Sequence, residues 1–187
     1  MSGVVILDRD GVINADSADY IKSPAEWRPL PGAIEAIRRL TDSGNNIYIA
    51  TNQAGVARGI FSAADLAAIH QKMTDAVKSS GGAISRIFAC LHHPDAGCDC
   101  RKPNPGMLLK IAAETGRALT GVPFVGDSLK DMDAARAAGC TPILVLTGNG
   151  ATTLRTLKTA DYPGLAVFDN LLAFAMFHIA NASNESS

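Results

Sequence analysis

Gly3-Val4-Val5-Ile6-Leu7-Asp8-Arg9-Asp10-Gly11-Val12-Ile13-Asn14 is the stretch whose reading decides the fold. Residues 3–7 are small or apolar without alternation, which reads as a strand buried on both faces, as in a parallel sheet covered by helices. The run stops at a carboxylate. Asp8 and Asp10 stand two apart, so extended backbone points them to one side, and Gly11 lets the chain turn away. The carboxyl ends of such strands are where open α/β sheets place their ligands. Two carboxylates crowded there do not both ionise cheaply unless a cation is bound or one holds a proton. The alternative, a pair of solvated loop aspartates, would rarely follow directly on a pure Val/Ile/Leu run.

The chain beyond this strand alternates in the same way. Residues 15–30 are polar and irregular, with Pro24, Pro29 and the single tryptophan, Trp27, and read as a loop folded over the strand end. Pro31-Gly32 opens a helix with Ala33, Ile34, Ala36, Ile37 and Leu40 on one face, closed at Gly44. Residues 46–50 form a second strand with Thr51-Asn52-Gln53 at its tip, followed by a loop with Gly55, Arg58 and Gly59. Ser62 and Asp65 resemble a capping box ahead of a helix carrying Leu66, Ile69, Met73 and Val77. A third strand over 84–91 runs into His92, Cys98, Cys100 and Lys102, and Pro105 opens a helix that Gly116 closes. Strands at 122–125, 141–146 and 166–168 and helices at 129–138, 152–158 and 171–179 complete the alternation, and 180–187 reads as a disordered tail. This pattern predicts an α/β fold: one domain over 1–187, a mostly parallel sheet with helices on both faces.

The totals exclude several classes. The chain has 187 residues, 47% of them hydrophobic and 19% charged, with a formal net charge of -1. No basic field exists to hold a nucleic acid, and no apolar stretch is long enough to span a bilayer. Met1 leads straight into the first strand, so no signal peptide is expected and the protein is read as cytoplasmic. On that reading the acceptor patterns Asn181-Ala182-Ser183 and Asn184-Glu185-Ser186 are coincidental. With no obvious additional apolar face, a monomer is expected.

The polar strand tips add up to one site. Asp8 with Asp10, Thr51 with Asn52, and Asp127 all follow strands, and Lys102 begins a helix just after the loop of the third. A carboxylate cluster with a hydroxyl, an amide and a lysine suits a phosphate held by Mg²⁺, a hard ion that takes one or two carboxylates plus phosphate oxygen. In isolation Thr51 and Asn52 would read as a turn cap, and Lys102 as a solvated surface lysine.

Taken in order, Asp8-Arg9-Asp10-Gly11, Thr51-Asn52, Lys102-Pro103 and Gly126-Asp127-Ser128-Leu129-Lys130-Asp131 resemble the four motifs of the haloacid dehalogenase (HAD) phosphatase family, over residues 4 to about 146. The resemblance implies a three-layer Rossmann-like fold and a set of roles. Asp8 would be the nucleophile that becomes an aspartyl-phosphate, and Asp10 the acid and then the base. Thr51 and Lys102 would bind the transferred phosphoryl group. Asp8, Asp10 (through its carbonyl) and Asp127 would hold Mg²⁺, with Asp131 supporting from behind. Only about forty residues separate the first two motifs, so an essentially capless enzyme is expected.

Four cysteines, Cys90, Cys98, Cys100 and Cys140, sit in a chain read as cytosolic, where clustered thiols more often mean metal than disulfide. Cys90, Cys98 and Cys100 with His92 offer a Cys₃His set for zinc within eleven residues, with His93 as a rival ligand. All four bound would leave no open position, so the zinc would be structural and would pin the loop that delivers Arg101 and Lys102. Cys140 reads as a small core residue.

The zinc-type loop, together with Thr51-Asn52-Gln53-Ala54-Gly55-Val56-Ala57-Arg58-Gly59 and Cys98-Asp99-Cys100-Arg101-Lys102-Pro103, is similar to the heptose-bisphosphatase branch of that family. What the resemblance implies is a Mg²⁺-dependent phosphatase that removes the 7-phosphate of a heptose 1,7-bisphosphate, serving ADP/GDP-heptose and lipopolysaccharide core synthesis. The zinc ligands would be Cys90, His92, Cys98 and Cys100. Substrate contacts would come from Asp16, Ser17, Asp19, Tyr20, Thr51, Asn52, Gln53, Ala54, Arg101, Lys102 and Ser128. The phosphate that is not cleaved needs a cationic partner, with Arg101 the first choice and Arg58 the second. The rival reading is a histidinol-phosphate phosphatase, whose amine a rim carboxylate such as Asp16 or Asp19 would suit. A zinc-stabilised binding module without turnover is the reading from another class, and the intact Asp8/Asp10 pair speaks against it.

Overall fold

The computed structural model describes residues 3–184, with side chains up to residue 182. Six parallel strands form one sheet in the order β3-β2-β1-β4-β5-β6, with β1 Gly3–Leu7, β2 Asn45–Asn52, β3 Arg86–Cys90, β4 Pro123–Gly126, β5 Thr141–Val145 and β6 Ala166–Phe168. The helices are α1 Ala33–Asp42, α2 Ala63–Ser79, α3 Gly106–Thr115, α4 Leu129–Ala138, α5 Gly150–Thr156 and α6 Leu171–Asn184.

The unbroken apolar strands are explained by burial on both faces. Val5 and Leu7 of β1, with Ile47 and Ile49 of β2, pack into one core with α1, α2 and α6. Their neighbours Val4, Ile6, Tyr48 and Ala50 pack into a second core with α3 and α4. Each strand is thus apolar throughout because alternate side chains feed opposite cores. Ala33, Ala36, Ile37 and Leu40 are the buried face of α1, as their spacing predicts. Ser62 and Asp65 form the capping box reciprocally at the start of α2.

The strand order reverses its direction of growth between β1 and β4, which pair through Ile6–Phe124 and Leu7–Val125. A crevice opens at such a switch point, at the carboxyl ends of the two strands. Asp8 follows β1, with its amide donating to Val125 at 2.8 Å, and Asp127 follows β4. Among the described residues no helix or named strand intervenes between β1 and α1, or between β2 and α2, so the connections 8–32 and 53–62 overhang this edge without a further domain.

Several element ends differ from the sequence pattern. Strand β2 extends to Asn52, because Thr51 and Asn52 pair with Ala89 and Cys90 of β3 rather than standing beyond the strand. Strand β3 is shorter than 84–91, and Leu91 is exposed. Helix α5 starts two residues earlier, where the Asn149 carbonyl accepts from Thr152 and Thr153. Residues 180–184, read as tail, are the last turn of α6: no glycine or proline stops the helix after Ile179. The rest of that expected tail, 185–187, lies outside the described residues, as do Met1 and Ser2. Helix α6 also exposes Met176 and Phe177, an apolar surface that composition did not reveal.

Candidate active site and metal centres

The carboxyl edge of β1, β2 and β4 and the start of α4 enclose a cavity of about 350 Å³. Asp8, Asp10, Thr51, Asn52, Gln53, Arg101, Lys102, Asp127 and Ser128 line it, with Asp16, Ser17 and Tyr20 on the loop above. Asp8, Thr51, Lys102, Asp127 and Asp131 are all buried.

At the floor, Lys102 Nζ lies 2.8 Å from Asp8 Oδ1 and 2.6 Å from Asp131 Oδ1. Asp131 gives its second oxygen to Ser128, accepting from the amide at 3.0 Å and the hydroxyl at 2.6 Å. Asp131 reaches this position because residue 126 is glycine: a Cβ there would meet the Asp131 side chain at 2.2 Å. Asp127 Oδ2 accepts from the Asn149 amide at 2.7 Å. Gly11, at φ 78°, makes room for it, since a Cβ at residue 11 would lie 2.1 Å from that oxygen.

Asp8, Asp127 and Asp131 bring carboxylate oxygens within 4.8 Å of one another. Burial first, then the neighbouring carboxylates, push Asp8 well above the usual carboxylate range, although Lys102 opposes this. Burial and the Asp131 charge push Asp127 up to about 7. Three buried acids against one ammonium leave an excess of negative charge, which a hard divalent cation would neutralise. The donor set therefore fits magnesium.

Asp10 is not part of that carboxylate group. Its Oδ1 accepts from Arg9 Nε at 3.2 Å, Arg9 Nη2 at 2.9 Å and Asn14 Nδ2 at 2.9 Å, and its Oδ2 from Gln53 Nε2 at 2.8 Å. Burial alone would raise Asp10, but the Arg9 charge and these hydrogen bonds outweigh it and hold the carboxyl below its ordinary value. The carboxylates of the two motif aspartates thus have different surroundings, and a cation at Asp10 would be met by its backbone carbonyl instead. Asp8 faces the other acids, and Asp10 faces donors.

Of the other expected contacts, Asn52 spends its amide on the Lys102 peptide, donating to the carbonyl at 3.0 Å and accepting from the amide at 3.1 Å. Ala54 and Arg58 do not line the cavity; Ala54 is buried and Arg58 exposed. Asp19 lines an adjoining hollow instead. Tyr20, the one described non-glycine residue at positive φ (63°), does line the cavity. Sequence reasoning missed Lys130 and Asn149, both in the lining. Their signal was position: each follows a strand end on the same edge.

The second cluster is Cys90, His92, Cys98 and Cys100. The Sγ atoms stand 3.6, 3.2 and 3.6 Å apart, and His92 Nδ1 lies 3.7 Å from Cys90 Sγ and 3.2 Å from Cys100 Sγ. A tetrahedron with metal–sulfur bonds of ~2.3 Å has edges of ~3.8 Å, close to this size. His93 turns away to Asp95, so His92 supplies the fourth donor. Burial tends to raise both Cys98 and Cys100; the Arg101 amide and neighbouring thiols bring Cys98 down to about 7, whereas Cys100 is pushed up to about 12. One thiolate is tolerable here, but three need a cation, and the cluster fits zinc. Cys140 is buried in the core.

These arrangements have counterparts among known proteins. A family model described as HAD-hydrolase-like matches residues 99–174. The D-glycero-beta-D-manno-heptose-1,7-bisphosphate 7-phosphatase of Pseudomonas aeruginosa is 51% identical over 172 residues, 92% of this chain and 95% of that protein. The enzyme of the same name from Bordetella bronchiseptica is 55% identical over 92% of this chain and 95% of its own. A crystal structure of D,D-heptose 1,7-bisphosphate phosphatase from B. bronchiseptica, complexed with magnesium and phosphate, superposes with a TM-score of 0.92 at 49% identity, covering 96% of this chain and 99% of that one. The chain belongs to the heptose 1,7-bisphosphate 7-phosphatase family of the HAD hydrolases.

Proposed function

We propose that the protein is a magnesium-dependent phosphomonoesterase that removes the 7-phosphate of a D-glycero-D-manno-heptose 1,7-bisphosphate. The observation that carries this reading is the meeting of Asp8, Asp127 and Lys102 at the switch point between β1 and β4. The relatives are named for the β-anomer, which is therefore the first substrate to test. Such an activity serves heptose-nucleotide and lipopolysaccharide core synthesis. It belongs in the cytoplasm, because charged sugar phosphates do not cross membranes unaided. The expected assembly is a monomer.

In this reading an Asp8 oxygen attacks phosphorus, forming an aspartyl-phosphate, while Asp10 gives a proton to the departing sugar oxygen. Water then attacks the phosphorus and gives its proton to Asp10, releasing phosphate and regenerating the Asp8 carboxylate. Magnesium held by Asp8, Asp127 and the Asp10 carbonyl would keep both carboxylates ionised and offset charge on the phosphoryl oxygens. Lys102 and Thr51 bind the transferred group. The donors around Asp10 hold its carboxyl below the ordinary value in the free enzyme; an incoming phosphate, as a like charge, would shift it toward the protonated form that the acid step needs. Arg101 and Lys130, both in the cavity lining, are the cations available for the uncleaved phosphate.

The test is phosphate release from the β-bisphosphate with Mg²⁺, with ³¹P NMR identifying the phosphate lost. Loss of the 7-phosphate by wild type and no turnover by Asp8→Asn is the expected result. Loss of the 1-phosphate, or equal turnover by Asp8→Asn, would overturn the reading.

A further inference from the structure

Asp10 is held from two directions by residues that are themselves held. Asn14, which donates to Asp10, accepts at its Oδ1 from the Trp27 indole at 3.0 Å, which fixes which end of its amide faces the carboxylate. Arg9 is only 1% exposed, and beyond Asp10 its Nη1 lies 3.3 Å from His70 Nε2 on α2. Arginine has donors only, so the imidazole must accept at Nε2 and carry its proton on Nδ1. Burial and the Arg9 charge push His70 down to about 4, against a smaller pull from Asp10, which leaves the ring neutral at pH 7 and able to accept. His70 is not among the side chains that line the cavity.

We infer that His70 is a positioning residue for the acid–base step: by accepting from Arg9 it fixes the guanidinium, and through it the direction in which Asp10 presents its carboxyl group to the leaving oxygen. The inference rests on the reading of Asp10 as acid and base. Arginine has four rotatable side-chain bonds, and two of its nitrogens already hold Asp10. Without the Nε2 acceptor, a buried N–H is left unsatisfied and the guanidinium swings to find another partner. A displacement of about 1 Å at a catalytic group costs up to roughly 10²-fold in rate.

The experiment compares His70→Ala and His70→Gln with wild type on two substrates. One is the β-heptose bisphosphate, whose alkoxide leaving group needs a proton. The other is p-nitrophenyl phosphate, whose phenolate leaves without one. Melting curves establish that each variant is folded at the assay temperature. For His70→Ala we expect kcat on the sugar to fall about 10- to 100-fold with KM within about twofold. The first-turnover burst of nitrophenolate should keep the wild-type rate, because enzyme phosphorylation then needs no acid. His70→Gln, whose side-chain carbonyl can accept from Arg9, should recover most of the loss. Unchanged sugar turnover in His70→Ala would overturn the inference. So would a burst slowed as much as sugar turnover, or a glutamine variant as slow as alanine. Wild type inert toward the sugar but active on another alkyl phosphate would sink the substrate assignment alone, and the same comparison on that ester would decide the role of His70.

Discussion

Lys102 Nζ lies 2.8 Å from Asp8 Oδ1, with both groups buried, so the residue read as nucleophile is held by the chain's own cation before any metal is present. Burial opposes the ammonium, but Asp131 and Asp8 outweigh it and keep Lys102 protonated.

Lys102→Met keeps the length of the side chain and removes the charge. It leaves Asp8, Asp127 and Asp131 uncompensated, and breaking a buried pair in this way costs about 3–5 kcal/mol. The loss should be largest at pH 8 and smaller at pH 6, where Asp8 and Asp127, both raised, take up protons. Urea unfolding in EDTA at the two pH values measures it. Turnover should fall more than about 100-fold at either pH, since Lys102 is also the proposed ligand of the transferred phosphoryl group.

Magnesium affinity should weaken as the pH falls. Asp127 titrates at about 7 in the fold, against 3.8 for an ordinary aspartate, because burial and Asp131 disfavour its charge. Between those values the native state holds a proton that the unfolded chain has released. Metal-free stability therefore declines as pH rises through this window, and a cation that requires the carboxylate must displace the proton. Below pH 7 the apparent Kd for Mg²⁺, read from thermal shift, should weaken by up to about tenfold per pH unit for each proton displaced. A Kd constant from pH 5.5 to 8 would show that the acids are already ionised.

The fold was legible because its signals are local. The run from Val4 to Leu7, repeated at Ile47–Ala50, could only be strand buried on two faces, and the caps at Ser62 and Gly139 mark helix ends by their chemistry. The acids at strand tips were legible for the same reason. What sequence did not show is which group each tip faces. Asp8 and Asp10 look equivalent two residues apart, yet Lys102, 94 positions later, takes one, and Arg9, Asn14 and Gln53 take the other. His70 and Asn149 carry no periodic signal, because a single polar residue on a helix or in a loop reads as solvated until the chain is folded. The end of α6 was missed because no large apolar residue marks the helix between Ile179 and Asn184, and no glycine or proline stops it there.

Purified protein should contain one zinc per chain by elemental analysis. Cys98→Ser removes a donor from the cluster and should lose the metal. Of the four donors only Cys90, the last residue of β3, belongs to the sheet, so far-UV circular dichroism should be largely retained, but residues 91–101 lose the tie that holds Arg101 beside Lys102. We expect hydrogen exchange to rise in this loop and kcat/KM on the bisphosphate to fall about tenfold or more. Full activity in a zinc-free variant would show that the hydrogen bonds of Asn52 to Lys102 and of Asn104 to the Cys98 carbonyl suffice to place it.

Arg101 offers a test of recognition apart from chemistry. Its Nη1 is buried without a hydrogen-bond partner, its side chain lines the cavity, and a donor in that state awaits an anion. A charge-assisted hydrogen bond to phosphate contributes about 1.5–3 kcal/mol. If the anion is the phosphate that stays on the sugar, Arg101→Ala should raise KM for the bisphosphate about 10- to 100-fold while leaving KM for heptose 7-phosphate within about threefold. The change in kcat should be small for both, since the group touches neither the attacking nor the leaving oxygen. Equal losses on the two substrates would assign Arg101 to the transferred phosphoryl group beside Lys102, and the uncleaved phosphate would then fall to Lys130 alone.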